Sequence, residues 1–288
     1  MLSSKRLRFV ITMGTARFDS EGSNRITIEG FRAIADIDKA GGMMMSTLRA
    51  KIYGVSQADM NTVTTLQWKP TDKIANVVEV FAVEDDVDTL VFAGNIINAW
   101  GDYQSMPDVY LHIQAQAAYF NQLLSSKPRS FKGAVDVAKV MGQIATDLGY
   151  VFENNGVAVR LSDVYLASSG IEQARDLAKQ AGIVMEIDDR ILSIRPMYEG
   201  RRGPIPSVSS ASGLVGYPTF DGIGVNFQTL FNPAITFGGR VRLVTDQTHA
   251  AGEWIVTCVN HRLESEKPGG AWFSIVRGNA SGLAIIGR

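Results

Sequence analysis

Two β-rich stretches bracket a shorter stretch with a different rhythm, and that interruption constrains the fold more than any single motif. The first β stretch runs from about residue 6 to 116, the last from about 216 to 278. Leu7, Phe9, Ile11 and Met13 alternate with Arg6, Arg8 and Thr12, the period of two of a half-buried strand. Residues 14–24 are rich in Gly, Ser, Asp and Asn and read as a loop. Ile26 and Ile28 restart a strand, which Ala33, Ala35 and Ile37 continue; Gly41-Gly42 breaks it and residues 48–53 resume. Ser56-x-x-Asp59 opens a short helix with Met60 and Val63 at helical spacing. Strands return at 75–83 and 89–99 around a hairpin turn at Glu84-Asp85-Asp86. The cleanest alternation places Val109, Leu111, Ile113 and Ala115 opposite Tyr110, His112, Gln114 and Gln116.

In the middle the period changes. Ala134, Val137, Ala138, Met141, Ile144, Ala145 and Leu148 share one helical face, and Gly149 stands where a left-handed cap is needed. A strand follows at 150–153. Ser169-x-x-Glu172 is a capping box opening a second helix, with Ile171, Ala174, Leu177, Ala178 and Ala181 inward. Gly182 ends it, residues 183–187 form the next strand, and Asp188-Asp189 turns the chain into 191–194. Helix–Gly–strand thus occurs twice, too few copies for a solenoid.

Residues 199–216 are rich in Gly, Pro and Ser, with Arg201-Arg202 and Pro204-x-Pro206, and read as a linker. Short strands follow at 219–227, 234–237, 240–244, 254–263 and 271–276, with turns at Gly238-Gly239 and Pro268-Gly269-Gly270. Such spacing points to a barrel or sandwich. The expected fold class is α+β, mainly β: β-barrels at 1–125 and 217–288, a small α/β domain at 126–198 and a linker at 199–216.

Composition narrows the function classes. With 288 residues, 45% of them hydrophobic, the chain has apolar mass for two or three cores. A formal net charge of −1 argues against a dedicated nucleic-acid binder. The single cysteine, Cys258, forbids an internal disulfide, and a reducing compartment is the simpler default. No apolar run approaches the roughly 20 residues of a membrane helix. The first residues are short in apolar length and broken by Arg8, an opening strand rather than a signal peptide.

No cluster of residues points to catalysis, and neither a cofactor nor a metal is expected. Cys258-x-x-His261 is the only close Cys/His pair, but on a strand residues three apart face opposite ways. Cys258 then shares a face with Trp254 and Val256, and His261 with Ile255 and Val259. His112 sits on the polar side of its strand, and His249 in a loop without a ligand set. Glu84, Asp85, Asp86 and Asp88 lack the glycine of a calcium loop and read as a solvated hairpin. Asp36 and Asp38 read as outward strand positions. Met43-Met44-Met45 cannot all point inward and divide between a partner contact and a loop over the core. There is no Gly-x-Ser-x-Gly elbow and no Gly-x-x-x-x-Gly-Lys phosphate loop.

The run Ala50-Lys-Ile-Tyr-Gly-Val-Ser-Gln-Ala-Asp-Met-Asn61 resembles the first barrel of phage baseplate hub proteins, relatives of type VI secretion spike hubs. Gly94-Asn-Ile-Ile-Asn-Ala-Trp100 and Met106-Pro-Asp-Val-Tyr-Leu-His-Ile113 are similar to its next strands. Ala174-Arg-Asp-Leu-Ala-Lys-Gln-Ala-Gly182 and Ile191-Leu-Ser-Ile-Arg-Pro196 resemble its inserted domain. Gly216-Tyr-Pro-Thr-Phe-Asp-Gly222, Gly252-Glu-Trp-Ile-Val256 and Pro268-Gly-Gly-Ala-Trp-Phe-Ser274 resemble its second barrel.

The resemblance implies a structural, non-enzymatic role: a homotrimeric ring between a hexameric tail tube and a trimeric spike, each subunit supplying two tube-like barrels. The implied partners are identical subunits, the tail tube protein, the spike, other baseplate proteins and the tape measure protein. Specific nucleic-acid binding and membrane insertion are not expected. The implied location is the virion tail baseplate, assembled in host cytoplasm, with strands continuing from subunit to subunit. No segment is left over for the lysozyme domain some hubs carry, nor for the long β-helix of type VI spikes. The alternatives are a cell-wall hydrolase with two carboxylates, and a carbohydrate- or receptor-binding module using Trp100 or Trp272.

Overall fold

A computed structural model describes residues 5–40, 45–64, 76–104, 106–123, 125–222 and 224–280. Strands dominate and fall into two compact units. The first contains residues 1–38, 46–119 and 260–273; the second contains 39–45, 120–259 and 274–288.

The first unit is an antiparallel sheet. Its strands are β1 (Lys5–Thr12), β2 (Arg25–Ile28), β3 (Ala33–Ala40) and β4 (Thr47–Tyr53), then, after helix α1 (Gln57–Val63), β5 (Val77–Glu84), β6 (Val87–Asp102) and β7 (Tyr110–Gln116). The order is β2-β1-β5-β6-β7-β4-β3. Alternation dictates the core: Leu111, Ile113 and Ala115 of β7 are buried, as are Leu48, Ala50 and Ile52 of β4 and Ala33, Ala35 and Ile37 of β3. The β5–β6 turn has Asp85 and Asp86 both at positive φ (48° and 61°), the type I′ geometry whose twist suits a hairpin. Register shifts at Val80/Phe81 and Ile96/Asn98 mark two bulges that bend β6. Ser56 caps α1 by accepting from the Asp59 N–H, and Met60 and Val63 are buried.

The second unit begins with a small α/β element. Its members are α2 (Tyr119–Leu123), β8 (Arg129–Ser130), β9 (Ala134–Asp136), α3 (Val137–Leu148), β10 (Val151–Asn154), β11 (Arg160–Ser162), β12 (Tyr165–Leu166), α4 (Gly170–Ala181), β13 (Ile183–Asp188) and β14 (Ile191–Pro196). Ala134, expected on the α3 face, stands on β9 instead. The helix starts three residues later because the Asp136 carboxylate accepts from the Lys139 N–H and caps it there. Gly149 (φ 79°) and Gly182 (φ 62°) close α3 and α4 in the left-handed region, as expected. Ser169 caps α4, but the Glu172 Oε1 accepts from the Arg175 guanidinium. The sheet order is β10-β14-β13, the first pair parallel and the second antiparallel.

The remaining strands are β15 (Ser207–Val208), β16 (Leu214–Phe220), β17 (Gly224–Leu230), β18 (Arg240–Leu243), β19 (Gly252–Ser265) and β20 (Trp272–Asn279). In the second unit the order is β16-β17-β20-β19, with β18 beside β19 and β15 parallel to β18. Val208, Val225, Phe227, Val241, Val256 and Val276 form its core. The stretch 199–216, read as a linker, thus contributes a fully buried valine and a paired strand. Residues 219–227, read as one strand, are two: the Asp221 carboxylate accepts from the Gly224 N–H and turns the chain. Residues 234–237 form no strand; Ile235 and Phe237 are buried from an irregular segment. Neither unit's sheet closes into a barrel among the described residues. Strand β19 crosses the division, residues 252–259 serving the second unit and 260–265 the first. There it lies beside β3: Asn260 Nδ2 donates to Asp38 Oδ1 (2.6 Å) and Ser265 Oγ to the Phe31 carbonyl (3.1 Å).

Candidate functional site

The sheet β10-β14-β13 has two unlike faces. Registers place Phe152, Leu192 and Ile187 in one row and Glu153, Ser193 and Glu186 in the next, on the opposite face. The apolar face lies under the helices; Gly142 of α3 leaves only enough room for the Phe152 ring. The other face is charged, and most of it is buried.

Three cations seal it. Arg195 donates from Nε (3.2 Å) and Nη2 (2.7 Å) to Glu186 Oε1 and from Nη1 to the Glu199 carbonyl (2.6 Å). Arg201 grips both oxygens of Glu153 (3.0 and 2.9 Å) and reaches Asp188 Oδ2 and the Phe237 carbonyl (3.2 Å each). Lys39 Nζ donates to Asp188 Oδ1 and Asp189 Oδ2 (2.7 Å each). Gly238 (φ 76°) closes the cluster; any Cβ there would overlap Glu186 Oε2. Its carbonyl accepts from the Arg201 N–H (2.8 Å).

The electrostatics follow from this pairing. The Arg201 hydrogen bonds hold the Glu153 carboxyl below its ordinary range, against the effect of burial. Burial pushes Asp188 up, but Lys39 and Arg201 outweigh it and hold it low. Burial pulls Lys39 down, and Asp188 with Asp189 outweighs that and raises it. Glu153 and Asp188 are thus held ionised, the reverse of what a general acid needs. The arrangement is a clasp: charge-assisted bonds tie the α/β element to residues 201 and 237–238.

The residues weighed from sequence lie elsewhere. Cys258 is half-buried and His261 buried, on opposite-facing positions of β19. His249 is exposed in a loop. Asp86 takes Arg6 (2.5 Å) and Asp88 takes Arg8, so two carboxylates of the acidic hairpin are held by arginines of β1. Asp36 is half-buried and Asp38 holds Asn260. Of the methionine run, Met45 is buried; Met43, Met44 and the Gly41-Gly42 break lie outside the described residues, as does Ala75. Trp272 is buried.

His112 and Trp100 share the outer face of the first sheet, their ring centroids 4.0 Å apart and edge-on. The next row holds Tyr53 and Tyr110, ring centroids 5.3 Å apart, with Arg32 over Tyr53 and Lys51 over Tyr110. Tyr110 donates to Asp102 Oδ2 (2.8 Å). Burial and neighbouring Lys51 push His112 below the ordinary imidazole range. Along α3 an open groove of about 530 Å³ is lined by Arg129, Lys139, Gln143 and Asp147, but Arg129 already donates to Asp147 and Gln173. Among the described residues no three His, Cys, Asp or Glu side chains converge on a metal-sized space.

The clasp was not anticipated. Its signals were Lys39, which occupies a core position in the alternation Ala33-Ala35-Ile37-Lys39, and Glu186, set among Ile183, Val184, Met185 and Ile187.

No curated protein sequence matches the chain. Solved structures do. A tail protein from Neisseria meningitidis MC58 aligns with a TM-score of 0.64 at 11% identity over 96% of this chain and 98% of its own. The 43 kDa tail protein of prophage MuSo2 from Shewanella oneidensis aligns at 0.62 and 10% identity over 96% and 97%. The E. coli c3393 protein, a type VI secretion component with structural similarity to T4 tail proteins gp27 and gp5, aligns at 0.59 and 8% identity over 86% and 73%. At such identities these likenesses speak for the fold. The sequence itself matches the family model described as baseplate hub gp41 over residues 9–269, and the chain belongs to that family of phage tail baseplate proteins.

Proposed function

We propose that this chain is the adaptor subunit of a phage tail baseplate, three copies closing a ring that joins a hexameric tail tube to a trimeric spike. One observation carries the reading: each unit's sheet ends at a strand paired on one side only among the described residues, β2 in the first and β16 in the second. Open edges invite pairing with another chain, and a closed symmetric ring covers them. In this reading 1–125 and 217–288 act as tube-like halves around the α/β domain 126–198, joined through 199–216; residues 260–273 of the last part complete the first compact unit. The clasp then fixes the α/β domain rigidly, as a load-transmitting part requires. The role is non-enzymatic, and the remaining neighbours are other baseplate proteins and the tape measure protein. Assembly takes place in host cytoplasm before incorporation into the virion.

Negative-stain electron microscopy with native mass measurement, on the protein alone and with its spike, tests this. A three-fold ring with an open centre is expected. A compact monomer in every condition would overturn the reading and return the hydrolase and glycan-binding alternatives.

A further inference from the structure

The chain leaves β10 through Asn155-Gly156, the one Asn-Gly pair in the sequence. Such a pair is chemically labile. Glycine has no Cβ to shield its backbone nitrogen, which can close on the preceding side-chain amide. That nitrogen bonds to the asparagine Cγ and gives up its proton, and Nδ2 leaves as ammonia. Water then opens the cyclic imide to aspartate or isoaspartate, and no oxidant or reductant is needed.

The fold nonetheless calls for both residues. Gly156 has φ 102°, a conformation that residues with side chains rarely adopt, and a Cβ there would overlap Arg202 Nη2. Asn155 is 2% exposed and uses both ends of its amide. Its Nδ2 donates to Glu153 Oε1 (2.8 Å) and its Oδ1 accepts from the Arg202 N–H (2.8 Å). An ionised aspartate accepts but cannot donate, so it cannot replace the amide.

The same contacts restrain the reaction. The amide is pinned at both ends, and the Asn155 N–H donates to the Ile194 carbonyl (2.8 Å). The attacking nitrogen is engaged as well, since the Gly156 N–H donates to Asn154 Oδ1 (3.1 Å). Arg201 completes the restraint: its fork fixes Glu153, and Glu153 fixes the amide.

We propose that Asn155-Gly156 is a deamidation site that the clasp holds unreactive, so that an opening of the clasp is made permanent by the chemistry it releases. The carboxylate formed at 155 offers Glu153 no donor and stands beside it as a like charge. Isoaspartate also lengthens the main chain directly after the pairing of Asn154 with Ile194. The proposal stands apart from the ring reading.

The test is peptide mapping by mass spectrometry after the full chain is incubated in mildly alkaline buffer below its melting temperature, native and in guanidinium. Native wild type is expected to convert Asn155 about tenfold or more slowly than the denatured chain, since only opened molecules react. Arg201→Met frees Glu153, and Asn154→Ala frees the attacking nitrogen; each should speed the native reaction and leave the denatured rate unchanged. Asn154 is exposed, so its replacement spares the core. Equal native and denatured rates in wild type overturn the restraint. Absence of product at Asn155 in the denatured chain overturns the site. Variants that stay folded at the incubation temperature yet react as slowly as wild type overturn the clasp's part in it. Asn155→Asp should melt below wild type, and an unchanged melting curve overturns the permanent loosening.

Discussion

Arg201 holds both carboxylate oxygens of Glu153 in a fork, at 3.0 and 2.9 Å, while its third nitrogen serves Asp188. Replacing it with methionine keeps the stem's packing and leaves Glu153 without its cation, while Lys39 still serves Asp188. Arg201→Met should lower stability by roughly 1.5–3 kcal/mol, the worth of hydrogen bonds to charged groups, read from the urea midpoint. Adding Glu153→Gln should recover part of that loss, since the unpaired charge is then gone. Equal midpoints for wild type and Arg201→Met would show that the clasp bears no weight.

Two glycines separate strain from overlap. At Gly182 (φ 62°) nothing lies within 4 Å of a built Cβ, so alanine suffers only backbone strain, about 1 kcal/mol. The branched valine fits worse still. At Gly238 (φ 76°) the same substitution meets Glu186 Oε2 and the Arg201 stem as well. Gly238→Ala should therefore cost clearly more than Gly182→Ala in thermal melts, and the reverse order would contradict this packing.

Leu111 of β7 is fully buried, at the centre of the first sheet. Leu111→Asp places a charge where no cation waits, and the first unit should lose its fold. The milder Leu111→Ala should cost about 2–5 kcal/mol. Soluble, cooperatively melting Leu111→Asp protein would place this strand elsewhere.

The clasp predicts a pH profile. Glu153 and Asp188 have folded pKa values below their unfolded ones, which lie at about 4. Their contribution is fully present above that range and is lost as pH falls through the folded values. Lys39 is raised, so its contribution is present below its unfolded value, about 10.4, and is lost only as pH rises beyond that. Stability should be flat from about pH 7 to 5 and fall in acid. Lys39→Met should flatten the acid limb. An identical limb in that variant would remove Lys39 from the linkage.

Local patterns were readable in the sequence where one residue decides the outcome. The β7 alternation, the Gly149 and Gly182 caps and the Ser56 and Ser169 N-caps all stand as expected. The start of α3 was not, because Ala134 satisfies helical periodicity while the Asp136 cap overrides it. Residues 199–216 looked like linker because composition averages over a segment, whereas Arg201 and Val208 act singly. The clasp was hidden for a deeper reason. Its partners are separated by as many as 150 residues in sequence, and no periodicity links Lys39 to Asp189. Membership of the baseplate hub family was visible in the run of strands and turns, but not which strands stand at the edges, because that follows from strand order.

Strand β19 imposes an order of events on the ribosome. The first unit's other residues are complete once Tyr119 has been made, yet the part of β19 that belongs to this unit begins at Asn260, about 140 residues later. At bacterial elongation rates that interval is on the order of ten seconds. During it β3 presents a bare flank, so the nascent chain passes through a stage in which its earliest sheet waits for a stretch translated about 140 residues later.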